Sequence, residues 1–171
     1  MYRPMVTAFK AMRDILPDLK DILLLGAGLA SAVHVLHRMG IRPASVTMVD
    51  VDEAVLLLAL QCLPGNAAAG ITPVCADARD YMKRDASRFY DLVIVDVFIG
   101  RTVPEEISGE MFLRQCRDRI NPGGRFVMNY MVEQIDEWLA FRKRIAAVFP
   151  QHTVLEFGLN KIIIGSIPGT S

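Results

Sequence analysis

Asp21-Ile22-Leu23-Leu24-Leu25-Gly26-Ala27-Gly28-Leu29-Ala30-Ser31 is the stretch from which the fold is read. An apolar run stops at two glycines and a helix-like stretch follows. Residues 22–25 show no polar alternation, the pattern of a strand buried on both faces. Gly26 and Gly28 permit a tight turn and let another molecule approach the backbone. A helix starting there presents unpaired N–H groups to that molecule. A second apolar run, Val46-Thr47-Met48-Val49, then closes on Asp50. Strand, glycine turn, helix and a second strand ending in an acid make a nucleotide site, with the acid accepting hydrogen bonds from ribose hydroxyls.

Acids also leave the next two expected strands. The third, over 71–76, runs into Asp77-Ala78. Asp77 reads equally as a contact in the same crevice and as the N-cap of a short helix beginning at Arg79. The fourth, over 91–96, ends on Asp96, followed by Val97-Phe98-Ile99-Gly100. A carboxylate among apolar neighbours is costly unless it is paired or faces a cleft, which makes Asp96 the candidate for the reacting centre. At the second strand Asp50 is the ribose candidate, while Asp52 and Glu53 suit the first turn of a helix over 52–63. Further helices are expected over 5–16, stopped by Pro17; over 29–39, stopped by Gly40; and over 110–120, stopped by Asn121-Pro122-Gly123-Gly124. Residues 101–110 read as a flexible loop over the site. A fifth strand spans 125–131, and a long helix over 132–149 carries Trp138, Phe141, Ile145 and Val148 as a core stripe.

The last segment separates the α/β folds. His152-Thr153-Val154-Leu155-Glu156-Phe157 and Ile162-Ile163-Ile164-Gly165-Ser166-Ile167 are joined by only Gly158-Leu159-Asn160-Lys161. So short a link requires antiparallel pairing, because a parallel crossover takes a dozen or more residues. Five parallel strands therefore precede a terminal hairpin.

At 171 residues the chain suits a single domain, with an N-terminal helical segment over 1–20 and a Rossmann-like core over 21–171. Its 52% hydrophobic content fits a sheet covered on both faces. Lys+Arg and Asp+Glu balance at 19 each, without the basic excess of a general nucleic-acid binder, so no nucleic-acid partner is expected. No run is long enough to span a bilayer, and Met1-Tyr2-Arg3-Pro4 has no signal-peptide block, so no membrane partner and a cytoplasmic location are expected. Cys62, Cys75 and Cys116 read as reduced, mostly buried thiols. His34 and His37 stand three apart on a helix without a third ligand, so no metal is expected.

These features resemble the class I S-adenosylmethionine-dependent methyltransferase fold: an α/β, three-layer αβα domain with a seven-stranded sheet, five strands parallel and a C-terminal antiparallel hairpin. Dehydrogenase Rossmann sheets usually continue with a sixth parallel strand, and Ser31 replaces their third glycine. Within the class the chain is similar to spermidine synthases, the aminopropyltransferases, over about 21–131. Their Gly-Gly-Gly-Asp-Gly-Gly turn falls on Gly26-Ala27-Gly28-Leu29-Ala30-Ser31, their ribose acid on Asp50, their adenine-contacting Asp on Asp77 beside Ala78, and the first acid of their Asp-x-x-Asp on Asp96. Their Pro-Gly-Gly falls on Pro122-Gly123-Gly124. The resemblance implies a bound S-adenosyl-L-methionine, or its decarboxylated form. Gly26, Ala27 and Gly28 would lie at its amino-acid end, Asp50 at the ribose, Val51, Asp77 and Ala78 at the adenine, and Asp96 by the sulfonium and the acceptor.

Two departures redirect the reading. The turn acid that holds the donor's amino group in that family is Leu29 here, and the second acid of Asp-x-x-Asp is Ile99. The family's N-terminal β-rich domain also has no counterpart in this sequence. The nucleoside half of the site is kept and the polyamine half is not. The expectation is methyl transfer to a small-molecule acceptor that is not a polycation. The alternatives are aminopropyl transfer in polyamine synthesis and a non-catalytic nucleoside-binding or partner protein. A homodimer is the assembly the resemblance suggests.

Overall fold

The computed structural model describes residues 3–68, 70–84 and 87–169. Of the expected 1–20 segment, Met1 and Tyr2 lie outside the described residues. Seven strands form one sheet: β1 (Asp21–Leu25), β2 (Ser45–Asp50), β3 (Ile71–Cys75), β4 (Tyr90–Val95), β5 (Ile120–Met131), β6 (His152–Phe157) and β7 (Asn160–Ser166). Their order is β3-β2-β1-β4-β5-β7-β6. β1 to β5 pair in parallel, whereas β7 runs antiparallel to both β5 and β6. The hairpin expected from the short 158–161 link is therefore present.

The helices are α1 (Arg3–Ala11), α2 (Ser31–Arg38), α3 (Glu53–Cys62), α4 (Ala78–Lys83), α5 (Glu105–Ser108), α6 (Glu110–Arg117) and α7 (Ile135–Val148). Successive strand residues point to opposite faces, and the two faces build two cores. Ile22 and Leu24 join Met48, Ile94 and Ile162 beneath α1, α2 and α3. Leu23 and Leu25 join Val93, Val95, Phe126 and Met128 beneath α4, α6 and α7. The three-layer αβα architecture follows from that division. The anticipated stripe Trp138, Phe141, Ile145 and Val148 is buried, and Tyr130 stacks on Phe141 with ring centroids 4.3 Å apart.

Several boundaries differ from expectation. The first helix ends at Ala11 rather than 16, and Pro17 lies inside a separate 3-10 turn, Leu16–Asp18, where its fixed φ suits an early helical position. The second starts at Ser31 instead of 29, because the chain first turns through the glycines. The α6 helix stops at Arg117, and β5 begins before Asn121-Pro122-Gly123-Gly124 rather than after it. Tyr90 pairs with Ile120 but Leu92 with Arg125, so the Pro-Gly-Gly segment bulges from the strand. Its Gly123 N–H donates to Pro168 O at 3.2 Å. The 132–149 helix is shorter, at Ile135–Val148. Cys62 and Cys75 are exposed and only Cys116 is buried, because α3 and the edge strand β3 leave one side uncovered.

Residues 101–110 are not an open loop. Ile99 and Thr102 form a small antiparallel bridge, Val103 and Ile107 are buried, and α5 occupies the middle of the segment. Pro104 O accepts from the N–H groups of Ile107 and Ser108 at 3.0 and 3.1 Å. Four residues are too few for helical periodicity to show in sequence.

Candidate functional site

β2 and β4 flank β1 and are entered from opposite sides, so the crevice beyond their carboxyl ends is the topological switch point of the sheet. A cavity of about 600 Å³ lies there, within the usual size range of ligand sites. Gly26, Gly28, Asp50, Val51, Asp77, Ala78 and Asp96 all line it. The sheet thus brings together seven of the eight residues singled out in sequence. The eighth, Ala27, is buried and does not line the cavity. Its N–H donates instead to Asp50 Oδ2 at 2.8 Å.

The glycine turn is held from both neighbours. Gly26 N–H donates to Val49 O at 2.9 Å, and Ala30 N–H closes the turn on Ala27 O at 2.8 Å. At Gly26, with φ +85°, a Cβ would fall 2.3 Å from Asp96 O. At Gly28, with φ +48°, a Cβ would meet nothing within 4 Å. The first glycine lets β1 pass the end of β4, and the second leaves open space over the backbone. Ala30 has φ 52°, an uncommon left-handed conformation outside glycine of the kind held at functional turns. It precedes α2 without a side-chain cap.

Asp50 Oδ1 accepts from Asp52 N–H at 3.0 Å. With one N–H on each oxygen, Asp50 keeps acceptor capacity for a ligand, since a carboxylate offers about four lone-pair positions. Asp52 caps α3 by accepting from Ala54 N–H at 2.8 Å and Val55 N–H at 3.4 Å. Asp77 does both things its position allowed. It caps α4 through Arg79 N–H at 2.8 Å and it lines the cavity. The Arg79 guanidinium also donates to both Asp77 oxygens, at 2.9 and 2.7 Å. That contact holds the Asp77 carboxyl down at about 2. Arg79 further reaches Glu106 on α5 at 3.7 Å.

Asp96 is buried deeper. Its Oδ1 accepts from Asn129 Nδ2 at 2.9 Å. Burial pushes its carboxyl upward, and the Asn129 hydrogen bond opposes that shift. Val97, Phe98, Ile99, Pro104 and Ile107 also line the cavity, as do Val49, Val55, Ala76, Arg79 and Glu106. Leu29 and Ile99, which stand where the resembled family carries acids, are exposed.

Sequence reading missed Arg79, Glu106 and the α5 wall, and missed Asn129. The signal for Asn129 was a lone amide inside the apolar run Phe126-Val127-Met128-Asn129-Tyr130-Met131, since buried polar groups are almost always hydrogen-bonded. Among the described residues no group of three or more His, Cys, Asp or Glu is arranged to hold a metal ion, and no helix is long and apolar enough to cross a membrane. The cavity offers carboxylates at three strand exits, close backbone approach at Gly28, and an apolar wall. That set suits a ligand with hydroxyls, a flat ring and a positive charge.

The spermine/spermidine synthase domain family matches residues 1–156. A probable polyamine aminopropyl transferase of Bifidobacterium longum is 26% identical over 129 residues, covering 75% of this chain and 27% of that protein. An N-terminal histidine N-methyltransferase of Emericella nidulans is 30% identical over 116 residues, covering 64% of this chain and 20% of that protein. The chain thus spans less than a third of the length of these curated relatives. In structure it is similar to human methyltransferase-like protein 13 in complex with SAH, with TM-score 0.77 and 21% identity, over 90% of this chain and 75% of that one.

Proposed function

The chain belongs to the spermine/spermidine synthase domain family, and on that premise we propose that it is an S-adenosylmethionine-dependent transferase that methylates an acceptor carrying no row of positive charges. The single observation behind the acceptor class is the composition of the cavity wall. Asp50 and Asp77 would serve the nucleoside, while Val97, Phe98, Ile99, Pro104 and Ile107 make an apolar part of the lining. Glu106 is the one further acid of the lining, and Arg79 lies 3.7 Å from it.

The residues present suit that donor. Gly28 leaves room for the amino-acid end, Asp50 retains acceptor capacity for ribose hydroxyls, and Val51 and Ala78 are small enough to flank an adenine. When bound, the sulfonium supplies an electrophilic carbon with its own leaving group, so catalysis is mostly positioning. The chain's residues then divide the work. Asp50 orients the ribose, Asp77 and Ala78 the adenine, and the Gly26–Gly28 turn the amino-acid end. Asp96 faces the positive centre and takes the proton that the acceptor gives up. The apolar wall excludes water, which strengthens the charge interaction with Asp96.

Aminopropyl transfer is the second reading, favoured by the Bifidobacterium longum relative. Incubation with S-adenosylmethionine and a panel of phenols, thiols, imidazoles and single amines separates the two. The methyl-transfer reading expects S-adenosylhomocysteine and a methylated panel member, with none formed by an Asp96→Asn variant. Polyamine product from putrescine and decarboxylated S-adenosylmethionine would favour the second reading.

A further inference from the structure

We propose that Asn129 and Asn160 are positioning residues that act through Asp96: a chain of side chains crossing three strands holds one oxygen of that carboxylate and leaves the other for the cavity. The inference rests on the role given to Asp96 above.

Strand register builds the chain. Val95 on β4 pairs with Met128 on β5, which sets the next residues, Asp96 and Asn129, side by side. Met131 on β5 pairs with Asn160, the first residue of β7. Asn129 Nδ2 donates to Asp96 Oδ1 at 2.9 Å, and Asn160 Nδ2 donates to Asn129 Oδ1 at 3.2 Å. Asn129 is 4% exposed and is not among the residues lining the cavity. One link from it to the cavity is the Asp96 carboxylate that it holds.

Direction is the point of the second link. A carboxylate only accepts, whereas an amide has one accepting and one donating end. Because Asn160 donates to the oxygen of Asn129, the NH₂ end of Asn129 is fixed toward Asp96. In apolar surroundings aligned hydrogen bonds polarise one another. The other charged groups of the cavity are differently engaged. Asp77 and Glu106 face Arg79, and the Asp50 oxygens take the Ala27 and Asp52 N–H groups. A buried amide is kept where it is hydrogen-bonded, as Asn129 is to Asp96 and Asn160.

The test uses the full chain and three variants. Asn160→Asp keeps the shape and swaps a donor for an acceptor. Asn160→Ala removes the donor without adding charge. Asn129→Leu removes the link itself. The first readout is the NMR titration midpoint of the Asp96 carboxyl carbon in the ligand-free protein. It is expected to rise in all three variants by about one pH unit, a tenfold change in protonation. The second is the ratio of affinities for S-adenosylmethionine, a sulfonium cation, and S-adenosylhomocysteine, a neutral thioether. The preference for the cation is expected to fall about tenfold while the thioether affinity stays, which also reports an intact fold. If Asn129→Leu does not fold, the two Asn160 variants carry the test. A midpoint and a ratio unchanged in both would overturn the chain. Shifted midpoints in a protein that binds neither compound would keep the chain and overturn the transferase reading.

Discussion

Asp50 Oδ2 accepts the backbone N–H of Ala27 at 2.8 Å, so the acid that ends β2 holds the glycine turn that ends β1. Two roles that sequence treats as separate, shaping the turn and lining the crevice, meet in one carboxylate. Asp50→Ala is expected to weaken S-adenosylhomocysteine binding by about 10- to 100-fold, the loss of a hydrogen bond to a charged group of roughly 1.5–3 kcal/mol. Asp50→Asn keeps one acceptor and is expected to lose less. Calorimetric titration of the two variants beside the wild type checks both.

The two glycines of the turn are expected to fail differently. Gly26→Ala drives a Cβ to 2.3 Å from Asp96 O at φ +85°. Backbone must move, and the fold is expected to lose several kcal/mol, on the order of 3 or more. Gly28→Ala meets nothing within 4 Å at φ +48° and is expected to cost about 1–2 kcal/mol of left-handed strain. Its methyl stands in the cavity, so binding suffers more than stability. Denaturant unfolding paired with ligand titration separates the two patterns.

Much of this site was legible in the sequence, for a definite reason. Parallel strands carry their functional residues at their carboxyl ends, so an acid closing an apolar run can be placed without knowing the sheet order. Asp50, Asp77 and Asp96 were found that way. Asn129 and Asn160 were not, because only the β4–β5–β7 register brings them to Asp96. α5 escaped because one helical turn has no periodicity, and the start of β5 because Pro-Gly-Gly reads as an end rather than a bulge. Ala27, which the family resemblance puts at the amino-acid end of the cofactor, is buried with its N–H donated to Asp50.

Acid stability tests the Asp77–Arg79 pair. The Arg79 hydrogen bonds hold Asp77 at about 2 in the folded state, below the ordinary value of about 3.9. The pair therefore stabilises the fold fully above pH of about 4 and loses that contribution as pH falls toward about 2. The Arg79 and Asp77 side chains are 43% and 32% exposed, so solvent screening keeps the contribution small. In Arg79→Ala this part of the acid slope is expected to shrink, with the share owed to the backbone N–H groups at the start of α4 remaining, in urea unfolding measured across that range.

Asp96 has the opposite sign. Burial raises its carboxyl in the folded state, so the fold binds the proton more tightly than the unfolded chain does. Keeping Asp96 ionised at neutral pH costs stability, a common exchange at functional sites. Asp96→Asn is expected to raise the thermal midpoint at pH 7 to 8. The gap should close as the pH is lowered through the Asp96 titration. A lower midpoint at pH 7 would contradict this.

Arg119 makes a purely structural prediction. The side chain is 4% exposed, and its Nη2 donates to Met82 O at 2.9 Å and Arg84 O at 2.6 Å, beside the Tyr81 ring. It satisfies carbonyls at the end of α4, where a cation also suits the helix dipole. Arg119→Met is expected to cost about 2–3 kcal/mol by leaving those acceptors unpaired, with ligand affinity little changed. Chemical denaturation with parallel titration would show it.

The most direct measurement is calorimetric titration of the wild-type chain with S-adenosylmethionine, decarboxylated S-adenosylmethionine and S-adenosylhomocysteine. Binding of the two carboxylated compounds, weakened in Asp50→Ala and undisturbed by excess putrescine, is the predicted result. Binding of the decarboxylated compound alone, or of none of the three, would contradict it.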